Sequence, residues 1–192
     1  TSLILHLLKC KEDKRIGIIV NDVAEVNVDA KIIEKSPFFT EQDRLVALQD
    51  GSISGNLSEQ LIEAVADLVK AQCVDYLLIE SSGIAQPDLI AKYLTNGETR
   101  ANEKLNQFCR LDTLVSVVDS YRLLQQFMPA KGKFDQDFQT SNQVIINQIE
   151  FCDVLLFNKT DLIRVEEQKY LLSLVKEIQP EAEIIESTYC QV

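Results

Sequence analysis

The sequence predicts an α/β fold: a mostly parallel sheet with helices on both faces, in three layers. Apolar strands alternate with amphipathic helices along the chain. The strands read as unbroken apolar runs and not as period-two alternation, which is the pattern of strands covered on both sides. A further observation says where a ligand would lie. The predicted strands end in Asn21-Asp22, Glu80-Ser81-Ser82-Gly83, Asp119-Ser120, Asn158-Lys159-Thr160-Asp161 and Ser187-Thr188. Ligands of open parallel sheets bind beyond the carboxyl ends of the strands. One polar cluster after an apolar strand is ordinary turn chemistry; five at the same edge point to a site.

The elements follow in order. Residues 1–10 read as a helix and 15–22 (RIGIIVND) as a buried strand. Residues 56–72 carry apolar side chains at helical spacing. Residues 74–83 (VDYLLIESSG) form the second strand, and 87–96 a helix opened by Pro87 at the favoured first turn. Residues 111–120 (LDTLVSVVDS) are the third strand. A helix over 141–153 leads into the fourth strand, 154–161 (VLLFNKTD). Residues 164–180 read as a helix stopped by Pro180, and 182–188 as the last strand. The segments 34–55 and 129–140 read as loops and are the best candidates for mobile regions.

Composition narrows the function. A chain of 192 residues, 46% hydrophobic, is long enough for one domain with a substantial core. A net charge of -11, from 19 Lys and Arg against 30 Asp and Glu, argues against nucleic acid as a partner. It leaves room for a phosphate ligand held by oriented backbone amides. No apolar run reaches transmembrane length and no secretory signal is visible, so no membrane partner and a cytoplasmic setting are expected. The chain starts with Thr1 instead of Met, and its natural beginning is expected upstream. Cys10, Cys73, Cys109, Cys152 and Cys190 form no CxxC pair and read as free thiols, largely buried. His6, alone on an apolar helix face, reads as a packed residue.

Three stretches can carry chemistry. In FNKTD, the Asp161 carboxylate can accept from both N1–H and the exocyclic amine of guanine, a donor pair that adenine lacks. Asn158 can bridge to the base or to the opposite loop, and the Lys159 stem can cover a base face. The competing reading is a plain turn. In LLIESSGIAQP, Glu80 can hold Mg2+ directly or through water while the Gly83 amide meets a terminal phosphate. Capping of the helix at Pro87 is the competing reading. At the start, Thr1-Ser2 stand where the hydroxyl after a phosphate-loop lysine would be, or serve only as a helix cap.

Taken in order, these motifs resemble the CobW family of P-loop GTPases, relatives of HypB and UreG, over almost the whole chain. TSLILHLL is similar to the segment after the Gly and Lys of the family's Walker A, and IGIIVNDVAEVNVDA to its second strand and switch region. LLIESSGIAQP is similar to its Glu-Thr-Thr/Ser-Gly-Leu-Ala-x-Pro signature. LDTLVSVVDS, QIEFCDVLLFNKTDL and IIESTYCQV resemble its later strands, its base-binding motif and the loop beside the base.

The resemblance implies a single P-loop GTPase domain over residues 1–192, lacking the first strand, the Gly-Lys part of the phosphate loop and the family's carboxyl-terminal domain. It implies GTP or GDP and Mg2+ as ligands, with slow hydrolysis by water. Thr1 would ligate Mg2+, with Ser2 beside the phosphates. Asp22 would lie in the switch loop near the metal or γ-phosphate. Glu80 would be the second acidic group at the metal, and Gly83 would sense the γ-phosphate. Asn158, Lys159 and Asp161 would read guanine, and Ser187 and Thr188 would close over the base. The implied role is nucleotide-gated insertion of a metal or cobalamin-type cofactor into a client protein, with homodimerisation a family habit. The family's thiolate motif Gly-Cys-x-Cys-Cys is DGSISGN here: Ser52, Ser54 and Gly55 replace the cysteines, and hydroxyls are poor ligands for Zn2+ or another transition metal. Asp22, Glu25 and Asp29 could form a carboxylate site but read rather as solvated or switch-loop residues. The alternative function is a non-catalytic nucleotide-sensing module without metal cargo. An ATP-dependent enzyme of the same class is a third reading, against which Asp161 argues.

Overall fold

The computed structural model describes residues 1–21, 28–48, 56–83, 86–127 and 136–192. They fall into two compact units. Thr1–Ala85 and Leu89–Leu111 make the first; Gln86–Asp88 and Asp112–Val192 make the second.

The first unit is built on β1 (Ile16–Asn21), flanked in parallel by β2 (Arg44–Leu48) and β3 (Tyr76–Glu80). Being central, β1 is buried on both faces. Ile16, Ile18 and Val20 pack with Ile4 and Leu8 of α1 (Ser2–Cys10) and Ile33 of α2 (Val28–Glu34). Ile19 turns to the other face, against Leu61, Ile62, Val65 and Ala66 of α3 (Asn56–Lys70), with Ile90, Tyr93 and Leu94 of α4 (Pro87–Asn96) alongside. The i, i+4 spacing of the α3 residues is what lets one stripe meet the sheet. Gly17 packs tightly in this central strand: a Cβ there would lie 3.0 Å from Leu77 Cδ1 and 3.2 Å from Val74 Cγ1, so those side chains would have to give by a few tenths of an ångström.

The amino-terminal edge of this sheet is fastened by Asp43. Its Oδ1 accepts from the Ile16 amide at 2.9 Å, and its Oδ2 accepts from the Thr40 amide at 2.8 Å and the Thr40 hydroxyl at 2.9 Å. Lys11 Nζ completes the set as an ion pair. Burial alone would push the Asp43 carboxyl up, but the Lys11 ammonium and the Ile16 and Thr40 donors outweigh it and hold it below the usual carboxylate range. Asp43→Asn is expected to cost about 3 kcal/mol at pH 7, because it removes the buried partner of the largely covered Lys11 ammonium and leaves that charge without its counter-charge. A carboxylate with a depressed native pKa contributes stability that is present above its ordinary value near about 4 and lost as pH falls through the native value. Urea melts should therefore show a gap between variant and parent at pH 7 that closes below about pH 4; a pH-independent gap would contradict this account.

In the second unit β4 (Val115–Asp119), β5 (Val154–Asn158) and β6 (Glu183–Ser187) form a parallel sheet in that order. Leu155 and Phe157 of β5 are fully buried and pack with Val118, with Leu123 and Leu124 of α5 (Ser120–Phe127), Ile149 of α6 (Gln136–Glu150), and Leu171 and Val175 of α7 (Val165–Ile178).

The parallel α/β architecture is as predicted, with three differences of detail. The described pairings make two three-stranded sheets, one per unit, where the sequence reading had a single sheet. β2 lies inside the stretch 34–55 read as a loop, and α6 begins at Gln136, inside the stretch 129–140 read as a mobile loop. The helices α2 and α5 were not predicted. Among the described residues no helix is long and apolar enough to cross a membrane.

Candidate functional site

In the second unit the register lines up the strand ends. Asp119 sits opposite Asn158, and Asn158 opposite Ser187. Three polar residues are thus side by side at the carboxyl edge. Asn158 is buried, and its Oδ1 accepts from Ser187 Oγ at 3.2 Å and from the Cys190 amide at 3.0 Å. Its carbonyl oxygen accepts from Ser120 Oγ at 2.6 Å. Asn158 therefore ties the end of β5 to the loop after β6. Of the two contacts open to it from the sequence, the described one is to the opposite loop.

After Asn158 the chain turns sharply. Lys159 takes a left-handed conformation (φ 62°), and a single 3-10 turn follows over Thr160–Leu162. The turn sends Lys159 Nζ to Asp119 Oδ2 at 2.6 Å. Burial alone would raise the Asp119 carboxyl, but the Lys159 ammonium and the Arg122 amide outweigh it and hold it below its ordinary range. Asp119 reciprocally raises Lys159 by hydrogen bonding and charge. Asp161 is exposed, and its Oδ1 accepts from Thr188 Oγ1 at 3.3 Å, leaving most of the carboxylate's acceptor capacity unused. Thr160 Oγ1 donates to the Ser187 carbonyl at 3.3 Å. The stretch is a turn, as the plain reading had it, but one that presents a carboxylate beside a braced loop.

In the first unit Thr1 occupies the N-cap of α1, yet its side chain makes no cap bond. The hydroxyl instead meets the Asp29 carboxylate and, at 3.3 Å, Glu80 Oε1. Glu80 Oε1 also faces the Thr1 amino group. Glu80 Oε2 is buried and has no hydrogen-bond partner among the described residues. A carboxylate oxygen in that state is costly unless something binds it. A cation held by Glu80 with the Thr1 hydroxyl fits this donor set of hard oxygens. Among the described residues no group of three or more His, Cys, Asp or Glu side chains gathers to hold a metal. Ser2 is exposed in the first turn of α1. A Cβ on Gly83 would meet nothing within 4 Å among the described residues. A shallow groove of about 440 Å3, lined by the basic Lys11 and Lys14, the acidic Glu12, Asp13 and Glu41, and Thr40 and Gln42, lies where β1 and β2 begin, the opposite edge from Glu80.

The predicted residues are thus gathered in two places. Asn158, Lys159, Asp161, Ser187 and Thr188 come together at one sheet edge; Thr1 and Glu80 meet at another, with Ser2 and Gly83 adjacent to them in the chain. Asp22, Glu25, Ser52, Ser54 and Gly55 lie outside the described residues. Sequence reading gave Asp119, Ser120 and Cys190 no role of their own, and it weighed Asp29 only as a possible carboxylate ligand before reading it as solvated. Asp119-Ser120 had been visible as a strand end, and Asp29 as a carboxylate of the switch-like stretch. The five cysteines are free. Burial pushes the Cys152 thiol up to about 11 and also raises those of Cys109 and Cys190, which makes them poor thiolates.

A parallel α/β chain with a polar carboxyl edge of this kind has the architecture that nucleotide-binding domains use, with the ligand beyond the strand ends. It matches the CobW/HypB/UreG nucleotide-binding domain over residues 1–186. The chain belongs to that family, as its motifs had indicated. It is 36% identical over 203 aligned positions to "Zinc-regulated GTPase metalloprotein activator 1" of Dictyostelium discoideum, covering 98% of this chain and 43% of that protein. It is 24% identical over 181 positions to "Zinc chaperone CobW" of Pseudomonas aeruginosa, covering 86% of this chain and 47% of that one. The chain thus spans less than half the length of these relatives. The crystal structure of a Zn(II)-bound YjiA GTPase from E. coli shares the fold, with a TM-score of 0.61 and 21% identity over 96% of this chain and 52% of the other.

Proposed function

We propose that this chain binds guanine nucleotides and hydrolyses GTP, as the nucleotide-responsive part of a metal-delivering protein. One observation carries the reading: the strand ends Asp119, Asn158 and Ser187 stand in register, and Asp161 projects beside them with its carboxylate largely unused. In this reading Asp161 accepts from N1–H and the 2-amino group of guanine. Lys159, placed by its left-handed backbone, lays its stem along one face of the base. Asn158 holds the loop of Ser187 and Thr188 in place. Thr1 and Glu80 would hold Mg2+, which when bound neutralises charge on the phosphates. Asp22 and Ser2 would complete the phosphate end, and Gly83 would offer its amide to the γ-phosphate.

The relatives' names make zinc the first cargo to test, and the client a protein that needs it. A cobalamin-type cargo has less support. Five free thiols suit a reducing cytoplasm. The serines at 52 and 54 favour a second reading, nucleotide sensing without metal cargo, because hydroxyls bind Zn2+ poorly. Titrating the full-length protein with Mg-GDP and Mg-ADP tests the base site, and GTP turnover with and without Zn2+ separates the two readings. Equal affinity for GDP and ADP would overturn the guanine assignment.

Gly83 offers a sharper check at the phosphate end. No described residue lies within 4 Å of a Cβ placed there, so Gly83→Ala should fold normally and bind Mg-GDP as the parent does. Its affinity for Mg-GTP should fall about tenfold, because the added methyl enters only the space assigned to the γ-phosphate. Parallel GDP and GTP titrations measure this, and an unchanged GTP affinity would remove Gly83 from the site.

A further inference from the structure

Tyr189 is the most exposed large hydrophobic residue described, at 78% of its surface. It also holds a left-handed backbone (φ 55°), a region that aromatic residues rarely adopt, and the next residue, Cys190, repeats it (φ 55°). Two consecutive non-glycine residues in this region persist only where the surroundings fix them. Here the fixing contacts are explicit. The Cys190 amide donates to Asn158 Oδ1 at 3.0 Å, and the Gln191 amide donates to the Thr188 carbonyl at 3.2 Å. Cys190 is thereby drawn inward while the ring of Tyr189 stays in water. The residue before it, Thr188, bonds Asp161. The loop thus sets an aromatic ring one residue from the group that contacts the base-reading carboxylate.

We propose that Tyr189 is a positioning residue for the nucleotide, its ring stacking on the face of the base whose edge Asp161 reads. This rests on the reading of residues 158–161 as a guanine site and adds the group that covers the base. Stacking is blind to the edge of a base, since every purine has a π-face. Tyr189 therefore supplies affinity, and Asp161 supplies choice.

The test uses the full-length protein titrated with Mg-GDP, Mg-IDP and Mg-ADP. Tyr189→Ala should weaken GDP and IDP binding by the same factor, about tenfold, leaving their ratio as in the parent. Tyr189→Phe should bind as the parent does. Tyr189→Gly keeps the left-handed backbone without strain and should lose as much affinity as the alanine variant, which assigns the loss to the ring and not to the loop. If the parent prefers GDP over ADP and Tyr189→Ala binds GDP equally well, the stacking role is overturned and the guanine site stands. A changed GDP to IDP ratio in Tyr189→Ala also overturns it, because the residue would then read the edge. If the parent binds GDP and ADP alike, the guanine site itself is wrong and the inference falls with it.

Discussion

Asn158→Ala is expected to lose both stability and nucleotide affinity. The side-chain oxygen that disappears is the acceptor for the Cys190 amide at 3.0 Å and the Ser187 hydroxyl at 3.2 Å. Both donor residues are buried, Ser187 at 5% and Cys190 at 4% exposure, so water cannot replace the acceptor cheaply. An orphaned buried donor costs about 1–3 kcal/mol. The serine hydroxyl can rotate toward another acceptor, whereas the Cys190 amide cannot, so the sum should be about 2–4 kcal/mol. At roughly 2–4 °C per kcal/mol for a chain of this size, the melting temperature should drop by roughly 5–15 °C. Affinity for Mg-GDP should fall at least about a hundredfold, since the loop carrying Ser187 and Thr188 loses its tie to the base motif. Asn158→Asp retains the acceptor and should recover most of the melting temperature. Removing Ser187 as well should cost less than the two single changes added, because both act on one bond. Thermal melts of the five proteins decide it; an Asn158→Ala protein that melts with the parent would show that the two loops are held by something else.

The parts of this architecture that could be read from the sequence are those whose burial leaves a mark on composition. β1, β3, β5 and β6 are runs of Ile, Leu and Val, and each was placed within a few residues. β2 escaped because RLVAL is embedded among polar residues, with Glu41, Gln42 and Asp43 before it and Gln49 and Asp50 after it. α2 has only seven residues. α5 escaped for another reason: it starts at Ser120 directly after β4, with no Gly or Pro between, and its start is signalled by Asp119 accepting the Arg122 amide at 3.0 Å. That bond looks like any strand-end carboxylate until the backbone is known. The same limit applies to the site. Asn158, Asp161 and Glu80 were legible because a polar residue directly after a buried strand stands out. Other pairings were not: Asp119 meets Lys159 across 40 positions and Asp29 meets Thr1 across 28, separations set by strand register and helix packing and carried by no motif. Asp29 reads from the sequence as one more solvated acid; in the fold its carboxylate takes the hydroxyl that would otherwise cap α1.

Glu80→Gln, unlike Asn158→Ala, should separate stability from activity. Glu80 ends β3 with one oxygen engaged by Thr1 and the other buried without a hydrogen-bond partner among the described residues. Gln keeps the shape and an acceptor for the Thr1 hydroxyl, and it replaces the oxygen that has no partner among the described residues. The variant should therefore be as stable as the parent or more stable by about 1 kcal/mol, which is the pattern expected where a site is kept at some expense to the fold. Its chemistry should suffer. A neutral amide neither balances a divalent cation nor helps to organise the charge that develops on the phosphates, and loss of one such preorganised group costs about 100–1,000-fold in turnover. Single-turnover GTP hydrolysis should drop by that factor, and the Mg2+ concentration giving half-maximal rate should rise. Mg-GDP affinity should change much less, because Asp161 and Asn158 are untouched. Asp29→Asn, which removes a charge from the same trio while leaving Glu80 in place, should give a smaller loss of turnover. If Glu80→Gln hydrolysed GTP at the parent rate, the buried oxygen would be a feature of packing alone. If it unfolded, the carboxylate would be structural, and the cation site assigned to Thr1 and Glu80 would lose its basis.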